Sequence, residues 1–501
     1  MKKVIALLLA LSMMLALAAC GGKTDGPDTV KDTLVVTPER MVDSYDPFTA
    51  AQYDTVTMNQ VMDTLFMWDG DGNVVGRLAE SWTESEDGLV ITTKLHEGVK
   101  FHDGTDFNAD AVVWNYEQLM AGTWGSAFSA YVANIEKVDD YTVNITKVTP
   151  VSTALDIMCY FMLIASPTAY EADPAGFATH PVGTGAYIWQ DKDSATDTIT
   201  MTANEDYFLG APAIKNLKLV TPMDSATALV SLEKGELNYA LALTNSDIEL
   251  AQSTDTVNGM TSAGWSTLTM MLVGEPMSSD QNLRNAIAYA IDREGAATYN
   301  NEADYVACND IFSGNIMGEL SGKTTVSSYD PAKAAEYLAQ SNYDGSVINI
   351  NTLGVYENVA TSIQNDLNAI GIKTQINTVD RATWSEMMTN GTLGISTIDF
   401  GGVYNGPVEM MSYFVSTGYY GLMGIFGQSE ECDAAYNAIF EATPDTLEAA
   451  TLNAVQLMSD LNNFTSLYEL IFTSACTSDL AGVEAVWAST QTPYFYQVSF
   501  Q

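Results

Sequence analysis

Positive charge is scarce in this chain. Lys and Arg together number 20 against 63 Asp and Glu, a formal charge of −43. A surface so poor in cations has no footprint for a phosphate backbone, which excludes nucleic-acid binding. The acidic residues are spread along the sequence and read as a solvated surface, the alternative being a field that draws in cationic ligands. Histidine occurs three times, at His96, His102 and His180, with no pair at metal-ligand spacing, so no metal centre is expected. Of the five cysteines, Cys159, Cys308, Cys432 and Cys476 are widely spaced and form no CxxC, so they read as buried thiols rather than a disulfide framework. Past the leader there is no uninterrupted apolar run of about eighteen residues, which excludes a later transmembrane helix. GxSxG, HExxH and P-loop patterns are absent, and no carboxylate pair stands out among so many. Neither an enzyme nor a cofactor is expected.

What is present is bulk and pattern. A chain of 501 residues with 47% hydrophobic content can fill two or three lobes. At the start, Lys2-Lys3 precedes an apolar run over 4–17 broken only by Ser12, and Leu17-Ala18-Ala19-Cys20 follows. That run is too short for a comfortable membrane span and suits an export signal. The small residues ending in Cys20 look like a bacterial lipobox, with cleavage before Cys20 and lipid on its thiol. Residues 1–19 are then a signal peptide, and 20–32, rich in Gly, Asp and Lys, a flexible tether.

Residues 89–95 alternate and are rich in β-branched side chains, predicting a strand. Gly98 and Asp103-Gly104 mark turns, and Asn108 suits the cap of a helix striped by Val112, Val113, Tyr116, Leu119 and Met120. Asp110 falls in its first turn, where the helix dipole favours negative charge. The wording of this unit is specific. Leu78-Ala-Glu-Ser-Trp82, Gly98-Val-Lys-Phe-His-Asp-Gly104 and Phe107-Asn-Ala-Asp-Ala111 resemble the peptide/nickel-type, family 5, extracellular solute-binding proteins, the ligand receptors of ABC importers. His180-Pro-Val-Gly-Thr-Gly-Ala-Tyr187, the turn at 204–212 and Leu283-Arg-Asn-Ala-Ile-Ala-Tyr-Ala-Ile-Asp-Arg-Glu294 continue the likeness.

The rest of the chain reads in keeping. A first strand is expected over 33–37, helical spacing over 55–68, and a hairpin over 134–150 around Asp139-Asp140. A helix over 226–235 and a strand over 236–243 follow. Leu283, Ala286, Ile287, Ala290 and Ile291 form one apolar helical face. Asp292 is expected to cap the next helix, and Asp330-Pro331 starts another. Val359, Ile363, Leu367 and Ile370 stripe a helix stopped by Gly371, a strand covers 372–379, and 384–388 begins a further helix. Alternating strands and helices predict α/β layering.

The resemblance implies a two-lobed, periplasmic-binding-protein-like α/β fold (type II, large three-subdomain variety) with the ligand between the lobes. Lobe 1 is expected from 33–68, 181–270 and 481–501, with 69–180 inserted as a subdomain, and lobe 2 from 271–480. The implied partners are a small-molecule or peptide ligand, ABC permease subunits and, through lipid on Cys20, the outer face of the bacterial cytoplasmic membrane, for a monomeric receptor. Tyr45 and Tyr53, in the loop after the first strand, and Trp265 are candidate contacts. The stretch 396–428, dense in glycine and aromatics, adds Asp399, Phe400, Tyr404 and Glu409. Here the chain departs from the pattern. Peptide-binding relatives carry an aspartate four residues before the proline of this loop, pairing with the peptide amine, and counting back from Pro407 gives Val403. Asp399 is a candidate substitute. Three readings stay open: a peptide-like solute, a nickel or metal chelate, and a surface chaperone or adhesion lipoprotein on the same fold.

Overall fold

The β-branched run Thr33–Thr37 forms β1, as expected. The other strands, in chain order, are β2 (Phe66–Trp68), β3 (Val74–Gly76), β4 (Ala79–Glu84), β5 (Val90–Leu95), β6 (Val132–Asp139), β7 (Thr142–Lys147), β8 (Tyr187–Asp193), β9 (Thr198–Ala203), β10 (Asn216–Leu219), β11 (Tyr239–Leu241), β12 (Val257–Val273), β13 (Val306–Ala307), β14 (Ile348–Thr352), β15 (Thr374–Thr378), β16 (Gly394–Gly401), β17 (Phe464–Thr477), β18 (Leu480–Ala481) and β19 (Ser499–Phe500). The structure, a computed structural model, describes residues 31–50, 55–69, 73–129, 131–148, 150, 154–299, 306–401, 406–418, 420–483 and 494–501.

One long sheet runs β15-β14-β16-β12-β17-β11-β1-β10-β9-β8, with β13 added on β17. At one end β1 lies parallel between β10 and β11. At the other, β14 lies parallel to both β15 and β16. Helices cover these parallel ends, as parallel strands require. Two lobes therefore share a sheet, and their cores are separate. Leu34, Val36, Leu217, Tyr239 and Phe495 belong to the first, Leu268, Ile287, Ile350 and Ile363 to the second. The inserted unit is its own antiparallel sheet, β4-β5-β7-β6, whose inner face joins the first core through Ile91, Leu95, Val143 and Ile145.

Only β12 and β17 belong to both ends of the sheet among the described strands. Val257 to Ala263 pair with Thr477 to Ile471, and Thr267 to Met271 pair with Glu469 to Phe464, the second block itself slipping by one residue at Leu467. Between these blocks the register slips, so residues 264–266 oppose Leu470 alone. This is a bulge, which bends and twists a strand pair. A Cβ at Gly264 would sit 2.5 Å from the Leu470 carbonyl oxygen, so only glycine permits the approach.

Most local expectations match. Asn108 caps Ala109–Ala121 by accepting from the Ala111 amide. Asp292 accepts from Gly295 N ahead of Arg293–Tyr299, and Asp330 with Pro331 starts Pro331–Gln340. Leu283, Ala286, Ile287 and Ala290 are all buried on Gln281–Ala290. The hairpin at 134–150 is β6–β7. Close packing of the His180–Tyr187 segment explains its Gly-Thr-Gly wording: Cβ atoms on Gly183 or Gly185 would lie 2.4 Å from backbone oxygens of Val61 or Gln60.

Two expectations are corrected. Helical spacing over 55–68 yields a helix only over Thr55–Val61, followed by β2. The Val61 carbonyl is taken by Gly185 N and the Leu65 carbonyl by Arg77 N and Ala79 N, so the helix cannot propagate. The buried Phe-Met-Trp run pairs with β3 instead; short apolar runs do not distinguish helix from strand. The strand expected over 236–243 shrinks to β11, ended by Ala242 at φ +57.

Candidate functional site on the second lobe

In open α/β sheets, ligands bind beyond the carboxyl ends of parallel strands, where loops and helix starts converge. In the second lobe those ends belong to β14, β15 and β16. β14 runs into the Gly354–Tyr356 turn and then the helix Glu357–Ala369. β15 leads to Asp380, which accepts from the Thr383 amide at 2.8 Å and caps Arg381–Thr389. β16 ends at Gly401, and the next described helix is Pro407–Ser412.

This edge brings Tyr356, Arg381 and Asp399 together. Asp399 is solvent-exposed and accepts from the Tyr356 hydroxyl at 3.1 Å. Burial, and then the Asp399 carboxylate, push the Tyr356 phenol well above its ordinary range, while Arg381 opposes them. The Arg381 guanidinium lies 5.2 Å from the Trp384 ring centroid. Among the described residues Asp399 makes no ion pair. The chemical result is an open carboxylate held in one orientation by a phenol, with a cation nearby. Such a group accepts donors strongly when water is excluded. Val355, next to Tyr356, is 73% exposed and supplies apolar surface beside it.

The other expected contacts distribute differently. Phe400 is half-buried, with its ring against Phe414 (5.3 Å) and Phe464 (6.0 Å) in the second lobe's core. Glu409 is 5% exposed on Pro407–Ser412; burial and then the Glu409 charge push Tyr436 up to about 12. Tyr45 is 1% exposed, and its ring packs at 5.0 Å on Trp189. The loop after β1 is drawn inward by the bond from Tyr45 N to the Ala178 carbonyl, so Tyr45 is a core ring in this form. Trp265 lies on β12 within the bulge. Cys20, Tyr53, Val403 and Tyr404 lie outside the described residues.

Tyr356 and Arg381 were missed by sequence reasoning. The signal that points to them is positional: each follows the carboxyl end of a parallel strand. That position emerges only once β14, β15 and β16 are known to be neighbours.

Two of the three histidines pack in structural roles. His102 Nε2 lies 2.8 Å from the Gly185 carbonyl oxygen, and burial pushes its pKa down. The His96 ring lies against Phe208. No group of three metal-ligating side chains occurs among the described residues. Cys159, Cys308, Cys432 and Cys476 are buried free thiols, as expected. Among the described residues, no helix is long and apolar enough to cross a membrane.

Comparison with known proteins bears on the fold and the family. The glutathione-binding protein GsiB of Shigella flexneri is 29% identical over 329 residues, covering 63% of this chain and 63% of that relative, so the match falls short of either full length. Two solved structures share the fold. DppA from Helicobacter pylori in complex with the peptide STSA has a TM-score of 0.79 at 21% identity, covering 93% of this chain and 98% of that one. NikZ from Campylobacter jejuni in complex with Ni(L-His) has a TM-score of 0.78 at 19% identity, covering 94% and 99%. The arrangement of two lobes on a shared sheet is therefore the large type II binding-protein fold. Residues 73–421 match the family described as bacterial extracellular solute-binding proteins, family 5 Middle. With more than half of its length inside that match, the chain belongs to the family 5 extracellular solute-binding proteins.

Proposed function

We propose that this protein is the solute receptor of an ABC importer, lipidated at Cys20, which takes a peptide-like solute between its lobes and presents the closed form to a membrane permease. No covalent step is required: the solute favours closure by contacts that the open form lacks. Lobe 1 is assigned to 33–68, 181–270 and 481–501, the insertion to 69–180 and lobe 2 to 271–480.

The observation that carries the reading is the exposed, phenol-oriented Asp399 at the carboxyl end of β16. It lies four residues before Val403, the position where peptide-binding relatives carry their amine-pairing acid. A buried ammonium needs a carboxylate, and Asp399 is an open one on this edge, oriented by a phenol. The names of GsiB and of the DppA complex, which bind glutathione and a peptide respectively, support the same class of solute. A second reading, a metal chelate, draws on the NikZ complex and on Val403 itself. With no metal-ligating cluster among the described residues, the chelator would have to supply the metal's ligands.

Native mass spectrometry of gently purified protein, with identification of released small molecules, tests the assignment. A ladder of short peptide masses supports the peptide reading, and a single metal-containing mass replaces it. Scattering that shows no compaction with any bound solute removes the transport reading and leaves the chaperone or adhesion alternative.

A further inference from the structure

The strands that join the lobes are held by a third element. The short helix Gly314–Met317 is rooted in the second lobe: Ile311, Phe312, Ile316 and Met317 are buried in its core, and Ser313 caps the turn by accepting from Ile316 N. From that base it reaches both crossing strands where they change partners. The Gly314 amide donates to Glu469 Oε1 at 2.7 Å, and Glu469, 8% exposed, is the last β17 residue paired with Thr267 before the register slips. The Asn315 side-chain amide donates to the Gly264 carbonyl at 3.1 Å, and Gly264 opens the bulge on β12. Two adjacent residues of one lobe thus hold one bond on each strand at the point of passage.

Lobe motion requires a few residues at the crossing to absorb changes in φ and ψ. Gly264 is the residue there with the freedom to do so. Its carbonyl cannot rotate while Asn315 holds it, and Leu470, opposite, follows directly after the anchored Glu469. We propose that Asn315 and Glu469 form a hinge clasp that sets the balance between open and closed arrangements of the lobes. They are positioning residues, acting on solute capture through the backbone rather than by touching solute. The consequence for capture rests on the receptor reading, but the clasp itself does not.

The test uses full-length protein without solute. Spin labels at Ser194→Cys in lobe 1 and Glu336→Cys in lobe 2, both exposed positions, report the inter-lobe distance distribution by pulsed electron resonance. Asn315→Ala removes the bond to Gly264, and the distribution is expected to broaden, with the ratio of arrangements changing about two- to tenfold, the size of one neutral hydrogen bond. Glu469→Gln keeps the shape and an acceptor, and moves the distribution less and in the same direction. Trp384→Phe, which removes the 2.9 Å bond from Trp384 Nε1 to Ser396 Oγ inside the second lobe, lowers stability without moving the distribution. If Asn315→Ala unfolds the chain, Asn315→Ser and Glu469→Gln carry the measurement. Distributions that superpose on the parent's while thermal midpoints fall overturn the clasp and make both residues packing elements of lobe 2. Since no solute is present, that failure is distinct from failure of the receptor reading.

Discussion

The Asp63–Arg77 pair is completely buried, with both side chains at 0% exposure and 2.5 Å between Arg77 Nε and Asp63 Oδ1. Asp63 also accepts from Tyr207 OH at 2.9 Å and Thr184 Oγ1 at 2.7 Å, while Arg77 donates to the Asn59 carbonyl and lies 4.5 Å from the Tyr494 ring centroid. One charged contact therefore gathers the first segment, the insertion, the returning segment and the C-terminal stretch. Asp63→Asn keeps the shape and one acceptor oxygen but leaves the guanidinium buried without a counter-charge. Breaking such a pair from one side costs about 3–5 kcal/mol, whereas removing both charges costs much less. Hydrogen exchange read by mass spectrometry separates the lobes. Amides of β1 and β10 should exchange about two to more than three orders of magnitude faster in Asp63→Asn, at about 1.4 kcal/mol per tenfold, if they exchange through opening of lobe 1. Amides of β14 and β16 should hardly change. In the double variant with Arg77→Met, part of the loss should return. A single-variant cost below about 1 kcal/mol, or strict additivity in the double, would refute the charge-burial argument.

Three further outcomes are expected. Burial, reinforced by Asp292, pushes the half-buried Asp366 carboxyl up to about 6 although it accepts from Asp292 N. A folded pKa above the unfolded one means stability falls as pH rises from about 4 to about 6. Asp366→Asn should then stabilise by about 1–2 kcal/mol at pH 7, once partial exposure is allowed for, and by nothing at pH 4; equal urea midpoints at pH 7 would count against this. Gly185→Ala drives a Cβ to 2.4 Å from the Gln60 carbonyl oxygen, where backbone cannot yield cheaply, and should cost about 2–3 kcal/mol; a variant as stable as the parent by chemical denaturation contradicts that. Asp399→Asn should weaken a solute bearing an ammonium by about 1–3 kcal/mol in calorimetric titration, and an unchanged Kd removes Asp399 from the site.

What the sequence disclosed was local. Asn108, Asp292 and Asp330-Pro331 declare helix starts through side-chain chemistry that acts within three residues, and each was read correctly. The stripe Leu283, Ala286, Ile287, Ala290 needed only helical periodicity. The failures came where distant backbone decides. Nothing within 55–68 announces that Gly185 and Arg77 will claim the carbonyls that a longer helix needs. The candidate site divides in the same way. Asp399 could be named as a candidate because it stands at a fixed offset from Pro407. Tyr356, 43 positions away, was not, because its bond to Asp399 depends on β14 and β16 lying side by side. Tyr45 looked like a loop residue by position and is a core ring because Trp189 waits for it.

The place of β17 has a consequence for the order in which the protein can be built. In the first lobe, β11 finds its outer neighbour only at residues 474–476, and Gln60 accepts through its side-chain carbonyl from the amide of Phe495. Until those residues exist, β11 ends the lobe with an unpaired edge, the feature that invites wrong pairing. An emerging chain therefore cannot complete its first-begun lobe before nearly all of its length has been delivered, and contacts of such long sequence separation form slowly. Were the chain exported unfolded, as the proposed lipid-anchored receptor would be, that delay would be an advantage: what is begun first would be finished last, on the far side.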